Sequence, residues 1–423
     1  MPTVLSTPDT AFRTGTEAAA PVPPRYLLAR LSCALAIFAA LMASTTPSPL
    51  YPIYIAEWGL RPSAGTSIFA IYAVGTLISL ALSGWLDGRT RDRRQVILPA
   101  LVLTAAGAIL FALASQVWML LLGRFLSGLA TGLITGTASA AIHALSRPER
   151  RQRAAAVSTV VFTAGAASGP CLSSAALATG IAPLVSPFVV IALTAALAFL
   201  GLALAPWPRR VLAGARAAAT AAADPERISP EFRRRLYLLS CLAITTAWTL
   251  GSMLMATGVS LATDLFGLHV QAVAGLIPAL FQLFAGIGQM AFSRTRPLSA
   301  ILTGALALGL LQVVIVLGAI TGTGLIFILA MPLCGLFYGA AFVGGASLVN
   351  ATSTPADIGR RIAVFYVVGY LSNAIPTFVM GFLINSYGLA TSFDLFSVLM
   401  VVIATLATLL ALRLRPRSLG LAP

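Results

Sequence analysis

The sequence predicts an all-α membrane protein whose twelve transmembrane helices form two pseudo-symmetric six-helix bundles. Three observations carry that prediction. The 423 residues are 58% hydrophobic and only 9% charged, with mean hydropathy +0.94, whereas a soluble domain carries about 25% charged residues. The charges sit in short tracts between apolar runs, and these tracts alternate between arginine-rich and arginine-poor. Local patterns of the first half also return in the second at a nearly constant offset.

A membrane-crossing helix needs about 20 apolar residues. That ruler places spans at 28–52, 63–86, 96–115, 118–143, 154–178, 184–205, 237–263, 270–292, 298–319, 323–349, 361–385 and 389–412. One set of connections reads DGRTRDRR (87–94), SRPERRQR (146–153), the long segment 206–236, SRTRP (293–297), ADIGRR (356–361) and the tail RLRPRS (413–418). The other reads EWGLRPS (57–63), ASQV (114–117), ATGIAP (178–183), DLFGLHV (264–270), TGTG (321–324) and NSYGLA (385–390). All 27 basic residues are arginine; Arg61 alone falls in the second set and Arg124 alone lies well inside a span. The positive-inside rule then puts both termini in the cytoplasm and makes the span count even.

The ends and the middle complete the domain plan. Residues 1–27 are polar and rich in alanine and proline, and read as a disordered cytoplasmic tail rather than a signal peptide. Residues 28–205 and 237–412 form the two bundles, 206–236 a cytoplasmic linker and 413–423 a second tail. The net charge of +15 is accounted for by the topogenic tracts, and no basic patch interleaved with aromatics points to nucleic acid. Cys33, Cys171, Cys241 and Cys334 lie in apolar runs without metal-ligand spacing and read as buried thiols. His143 and His269 lie near span ends and read as membrane-interface residues.

The fourth span contains LGRFLSGLATGLITGTASA (122–140), with Arg124 followed by Gly128, Gly132 and Gly136. Glycines at every fourth position fall near one face and let another helix backbone approach closely. An arginine inside a span normally faces a cavity or a partner. Arg124 starts near one end of its span, so snorkelling to the membrane surface is a second open reading. Gly335 and Gly339 in MPLCGLFYGAAF repeat Gly128 and Gly132 at one common offset. Phe266-Gly267-Leu268 repeats Trp58-Gly59-Leu60, and Ile375-Pro376 repeats Gly169-Pro170, at almost the same offset. Duplicated halves related by an axis along the membrane normal are one transporter architecture.

Three motifs add to this. After the second span stand Gly84, Asp87, Arg89, Arg93 and Arg94; in the fourth, Arg124, Gly128 and Gly132; in the fifth, Gly165, Gly169 and Pro170, followed by Ser173 and Ser174. With these the chain resembles the major facilitator superfamily, and within it the twelve-helix drug:proton antiporter branch. The first motif is similar to the family's glycine, aspartate and glycine-arginine-arginine pattern, with slipped spacing and Asp92 where a glycine is usual. The resemblance implies that it latches the closed gate; a purely topogenic loop is the other reading. In the second, Ser127 replaces a usual glutamine, and the resemblance implies proton coupling and control of cavity electrostatics by Arg124. The third resembles the antiporter signature, with Ser173 and Ser174 in place of a glycine pair, and implies a bending seam; ordinary helix packing is the other reading.

Candidate binding residues follow from chemistry and depth. Ser44 and Thr45 precede Pro47, Pro49 and Pro52, prolines that bend or end the first helix. Freed carbonyls and hydroxyls there would line a cavity mouth; a plain helix terminus is the alternative. Tyr72, Trp248, Gln282, Tyr366, Tyr370 and Asn373 lie at cavity depth, and the last three share a helix face. Aromatic and amide groups on an apolar wall suit an amphipathic organic substrate. None of the 12 acidic residues reaches mid-membrane; Asp264 and Asp394 come nearest, each close to a span end. Proton coupling through Arg124, Asp264 and Asp394 is therefore an implication of the resemblance alone.

The resemblance implies a monomeric transporter of the cytoplasmic (inner) membrane with the lipid bilayer, a small-molecule substrate and the proton as its partners, and no cofactor. It would export a small amphipathic organic molecule or drug by alternating access in exchange for protons. Uptake or facilitated diffusion of a polar metabolite stays open, favoured by the missing carboxylate, as does a non-transporting membrane sensor. An enzyme is not expected, because no nucleophile, base and metal set converges.

Overall fold

The computed structural model describes residues 26–86, 92–146, 151–207, 229–268, 270–354 and 357–414. Helix α1 (Leu27–Thr45) stops before Pro47, which lacks a backbone donor; a 3-10 turn (Ser48–Leu50) and the short α2 (Tyr51–Glu57) carry the same span onward. The prolines therefore bend the span without ending it. The next spans are α3 (Pro62–Leu86), α4 (Arg94–Ala112), α5 (Val117–Ala144), α6 (Arg151–Thr179) and α7 (Ser186–Leu204). The second half contains α8 (Pro230–Ser260), α9 (Gln271–Phe292), α10 (Pro297–Ile320) and α11 (Gly324–Thr352). The run Ile358–Leu414 breaks at Gly388, with φ 80°, into α12 (358–387) and α13 (389–414). A side chain at that left-handed φ would be strained, so glycine makes the tight return possible. Among the described residues twelve spans result, the first being α1 with α2.

Three expectations change. Helix α8 begins at Pro230, inside the stretch 206–236 expected to be linker. Ser229 Oγ accepts from the Phe232 N–H at 3.4 Å, Pro230 occupies the first turn and Glu231 follows it, a start signal that an apolarity ruler passes over. At the other end α13 runs through Arg413 to Leu414, into the expected tail. Cys171 is exposed rather than buried, because the opposite side of α6 is the one pressed against α1; Cys33 and Cys334 are buried. Of the expected linker and tails, residues 208–228, 1–25 and 415–423 lie outside the described residues, as does His269; His143 falls in the last turn of α5.

Packing repeats across the two halves. Helix α1 lies on α6 as α8 lies on α12, α3 on α5 as α9 on α11, and α4 on α5 and α7 as α10 on α11 and α13. The halves meet along two seams, α6 against α9 and α3 against α12. Helix α13 shows how side chains sort between lipid and protein: Leu395, Val398, Val402, Leu406 and Leu409 are exposed, while Phe396, Met400, Ala404, Ala407 and Ala411 are buried. Small residues on the inner face let α10 approach closely, the packing mode expected where lipid offers no hydrophobic drive.

The glycine ridges show the duplication in three dimensions. A Cβ on Gly128 would collide with Tyr72 O on α3, and one on Gly335 with Phe281 O on α9. Each ridge is thus needed for direct backbone contact with the equivalent helix of its own half. Gly136, expected on the same ridge, has nothing within 4 Å; each four-residue step turns a helix by about 40°, so two steps from Gly128 carry it off the face that α3 covers. Gly128→Ala and Gly335→Ala are each expected to lower stability by about 1–3 kcal/mol, read as a fall in melting temperature of the detergent-solubilised protein. Gly136→Ala should leave it unchanged, and equal melting of all three would refute the ridge assignment.

Candidate functional site: a central cavity between the halves

A cavity of about 90 Å³ lies between the two bundles, lined by Ser44, Thr45, Tyr72, Arg124, Trp248, Gln282 and Asn373 together with Phe69, Phe281 and Tyr338. The proline break in α1 presents Ser44 and Thr45, α3 presents Tyr72, α5 Arg124, α8 Trp248, α9 Gln282 and α12 Asn373. Tyr366 and Tyr370 do not line it. They pack against the Trp248 ring at 6.3 and 4.8 Å between centroids and hold the indole in place from behind.

Arg124 does not snorkel. Its residue is 1% exposed, its Nη1 donates to the Ser44 carbonyl, and its guanidinium carbon lies 4.6 Å from the Tyr72 ring centroid and 5.3 Å from that of Phe69. The carbonyl is available because α1 ends at Thr45 and the chain continues as a 3-10 turn, which leaves the last carbonyls without helical partners. A helix C-terminus is partially negative and favours a cation, and ring faces add cation–π attraction. The next freed acceptor is used from the other side: Ser173 Oγ on α6 donates to Thr46 O at 2.7 Å. Helix α6 reaches that carbonyl because a Cβ on Gly169 would lie 2.7 Å from Met42 O, and one on Gly165 2.7 Å from Phe38 O. Gly165, Gly169 and Ser173 therefore belong to a joint between α6 and α1, and Pro170 lies buried next to Gly169 in α6.

A second, larger cavity of about 800 Å³ lies towards the arginine-poor end, lined by Pro49, Pro52, Thr257, Ser260 and Asp264 among others. The chain crosses from one cavity to the other at the α1 break. Asp264 is exposed, accepts from Thr263 Oγ1 at 2.6 Å and lies on a single π-turn (Leu261–Leu265) after α8, a distortion frequent at functional positions. Asp394 is exposed on α13. Neither carboxylate meets Arg124, so the structure does not gather the three residues expected to couple protons.

Of the expected latch, Asp87 and Arg89 lie outside the described residues, and Gly84 falls in the last turn of α3. Arg93 precedes α4. Arg94 pairs with Asp92 at 2.9 Å and lies over Trp207 at 5.4 Å; Asp92 also accepts the Arg94 N–H. Arg361 likewise pairs with Asp357 at 2.7 Å and lies over Tyr237 at 5.2 Å. Burial raises the Asp357 carboxyl, but donors from Thr354 and the Arg361 charge outweigh it and hold the group below its ordinary value. Both bridges stay within their own half. At the arginine-poor end a bond does cross: Asn385 on α12 accepts from the Ser63 N–H at 3.1 Å and donates to Ser63 Oγ at 2.7 Å. Sequence reasoning missed this pair, which is remote in the chain, and missed Tyr338, although it sits between the two glycines of the α11 ridge.

Two pseudo-symmetric bundles around a polar, aromatic-walled cavity define a membrane transport protein. The chain belongs to the Major Facilitator Superfamily, which it matches over residues 33–343. An uncharacterised MFS-type transporter of Mycobacterium tuberculosis is 28% identical over 174 residues, which cover 40% of this chain and only 24% of that protein's length. Solute carrier family 2, facilitated glucose transporter member 8, of Bos taurus is 36% identical over 92 residues, 22% of this chain and 19% of that one. Among solved structures, a POT family transporter in complex with 5-aminolevulinic acid superposes with TM-score 0.74 at 15% identity, covering 92% of this chain and 97% of that one. A bacterial homolog of the human lysosomal transporter Spinster, inward-facing and unoccupied, gives 0.72 at 15% identity, covering 93% and 98%. Both structural likenesses show the fold alone.

The joint has a measurable consequence. Ser173→Ala leaves the buried Thr46 carbonyl without its donor and should cost about 1–3 kcal/mol. Ser168→Ala removes only a bond to the helix's own Gly165 carbonyl and should cost less. Thermal melts of the two variants side by side check this, and an equal effect would argue against a special role for the α1 break.

Proposed function

We propose that this protein exports a small, partly apolar organic molecule across the cytoplasmic membrane by alternating access, with the central cavity as its binding site and both termini in the cytoplasm. The observation that carries the reading is the convergence of Arg124, Tyr72, Trp248, Gln282 and Asn373 from five helices and both halves onto one cavity. A few polar groups on an aromatic wall are the usual make-up of a site for a partly apolar ligand. Because the lining comes from both halves, rocking them apart along the α6–α9 and α3–α12 seams would expose the same residues to one side and then the other. In this cycle the Ser63–Asn385 pair would be one of the bonds broken on opening the arginine-poor end.

Export and proton exchange rest on the resemblance to the drug:proton antiporter branch. A second reading, uptake or facilitated diffusion of a metabolite, is favoured by one observation: among the described residues no carboxylate lines the central cavity. The test uses inverted membrane vesicles with an imposed proton gradient, a fluorescent pH reporter and a panel of amphipathic compounds. Compound-triggered proton release by the native protein, lost in Arg124→Ala, is the expected result. Transport without proton movement would remove the exchange while leaving export open, and no response across the panel from folded protein would transfer the assignment to the second reading.

A further inference from the structure

We infer that the passenger of the central cavity is an organic anion, a carboxylate on a partly aromatic body, with the carboxylate bound at Arg124 and the body on the wall formed by Trp248 and Tyr338. The inference rests on the reading of this cavity as the substrate site. The first observation is charge. Arg124 is buried, and its contacts are one backbone carbonyl and two ring faces, all of them partial charges. Among the described residues no carboxylate lies within ion-pair distance of it and none lines the cavity. A buried ion without a counter-ion is expensive, and a ligand that brings the opposite charge relieves that cost.

The second observation is unmet hydrogen bonding. Arg124 Nε, Trp248 Nε1 and Asn373 Oδ1 are all buried without a partner, and all three residues line this one cavity. Two of these atoms are donors. The Asn373 amide turned over, which exchanges its oxygen and nitrogen in place, presents a third. Native structures rarely leave such groups unmet without a reason, and a donor set built around a guanidinium matches a carboxylate, which accepts only.

Volume fits a headgroup. About 90 Å³ is the share of roughly three liquid waters, enough for a carboxylate and a water but not for its body, which would occupy the aromatic wall as the halves part. The same lining disfavours an organic cation, which would find no counter-charge and would meet the Arg124 field. The missing proton site also loses its difficulty. An anion leaving an interior-negative cell moves down the membrane potential, so its export requires no titrating carboxylate in the cavity.

The experiment measures binding of 2-naphthoate, 2-naphthamide and 2-naphthylmethylamine to the purified full chain at neutral pH by calorimetry, with potassium chloride as a fourth arm. Native protein should bind naphthoate at least about tenfold more tightly than the amide, the scale set by a buried charge-assisted pair. Arg124→Gln should erase that preference and Arg124→Lys should retain part of it, with melting curves confirming folded protein. Amide or amine binding as tightly as naphthoate, or a preference surviving in Arg124→Gln, overturns the anion assignment and leaves the export reading standing. Displacement of naphthoate by chloride at equal concentration overturns the organic body. Binding of none of the three by native protein overturns the cavity as the substrate site, and the proposed function with it. Should Arg124→Gln fail to fold, the three-ligand comparison on native protein and Arg124→Lys still decides.

Discussion

A guanidinium sealed away from water must be given acceptors by the protein itself, and the way this chain does so organises its first half. Helix α1 ends at Thr45 and passes into a 3-10 turn in which the Leu50 N–H donates to Pro47 O. Pro47 and Pro49 bring no backbone donor, so carbonyls at the helix end are left without helical partners. Arg124 takes the Ser44 carbonyl from α5, and Ser173 takes Thr46 O from α6. For α6 to come that near, its facing positions must lack side chains, which Gly165 and Gly169 supply. Prolines, arginine and glycine signature thus look like three separate motifs in the sequence and act as one joint in space. Remove the break and the arginine loses its acceptor; fill the glycines and the second carbonyl loses its donor.

The second half repeats the scaffold and omits the charge. Met331 stands in α11 at the repeat position of Arg124 and is fully buried, while Gly335 and Gly339 keep the ridge against α9. Helices α8 and α12 are joined instead by neutral groups, Thr249 Oγ1 to Ser372 O at 3.0 Å and Ser372 Oγ to Thr245 Oγ1 at 3.0 Å. What this half gives the cavity is aromatic surface: Trp248, Phe281 and Tyr338, with Tyr366 and Tyr370 packed behind the indole. The duplicated fold divides its labour: the first half brings the cavity its charge at Arg124, and the second brings most of the aromatic wall with the amides of Gln282 and Asn373.

The spans were legible because two independent signals, apolar length and arginine alternation, had to agree at every connection. Residues Ser44, Tyr72, Trp248, Gln282 and Asn373 could be nominated because polar or aromatic groups at mid-span depth are few. The sequence left Arg124 open between cavity and surface, since the outcome depends on how near the broken end of α1 comes, a distance no local pattern encodes. Gly136 follows the period of Gly128 and Gly132, but a four-residue period drifts by about 40° per step and the third glycine leaves the covered face. Tyr366 and Tyr370 share a face with Asn373, yet that face curves past the cavity and meets Trp248. Ser63 and Asn385 lie in unremarkable connections at opposite ends of the chain, and only the seam between the halves joins them.

The separation of the two cavities constrains any coupling mechanism. A guanidinium keeps its proton in proteins, so Arg124 sets the field of the central cavity without serving as the group that loads and releases a proton there. The carboxylate nearest in function, Asp264, faces the larger cavity beyond the α1 break. Any influence of Asp264 on the site would therefore pass through its π-turn and the neighbouring end of α8, which packs against α2 and the 3-10 turn. Under the anion inference the passenger supplies the charge itself. In that arrangement a fixed cation in the cavity suffices, because the ligand's own charge couples its movement to the membrane potential.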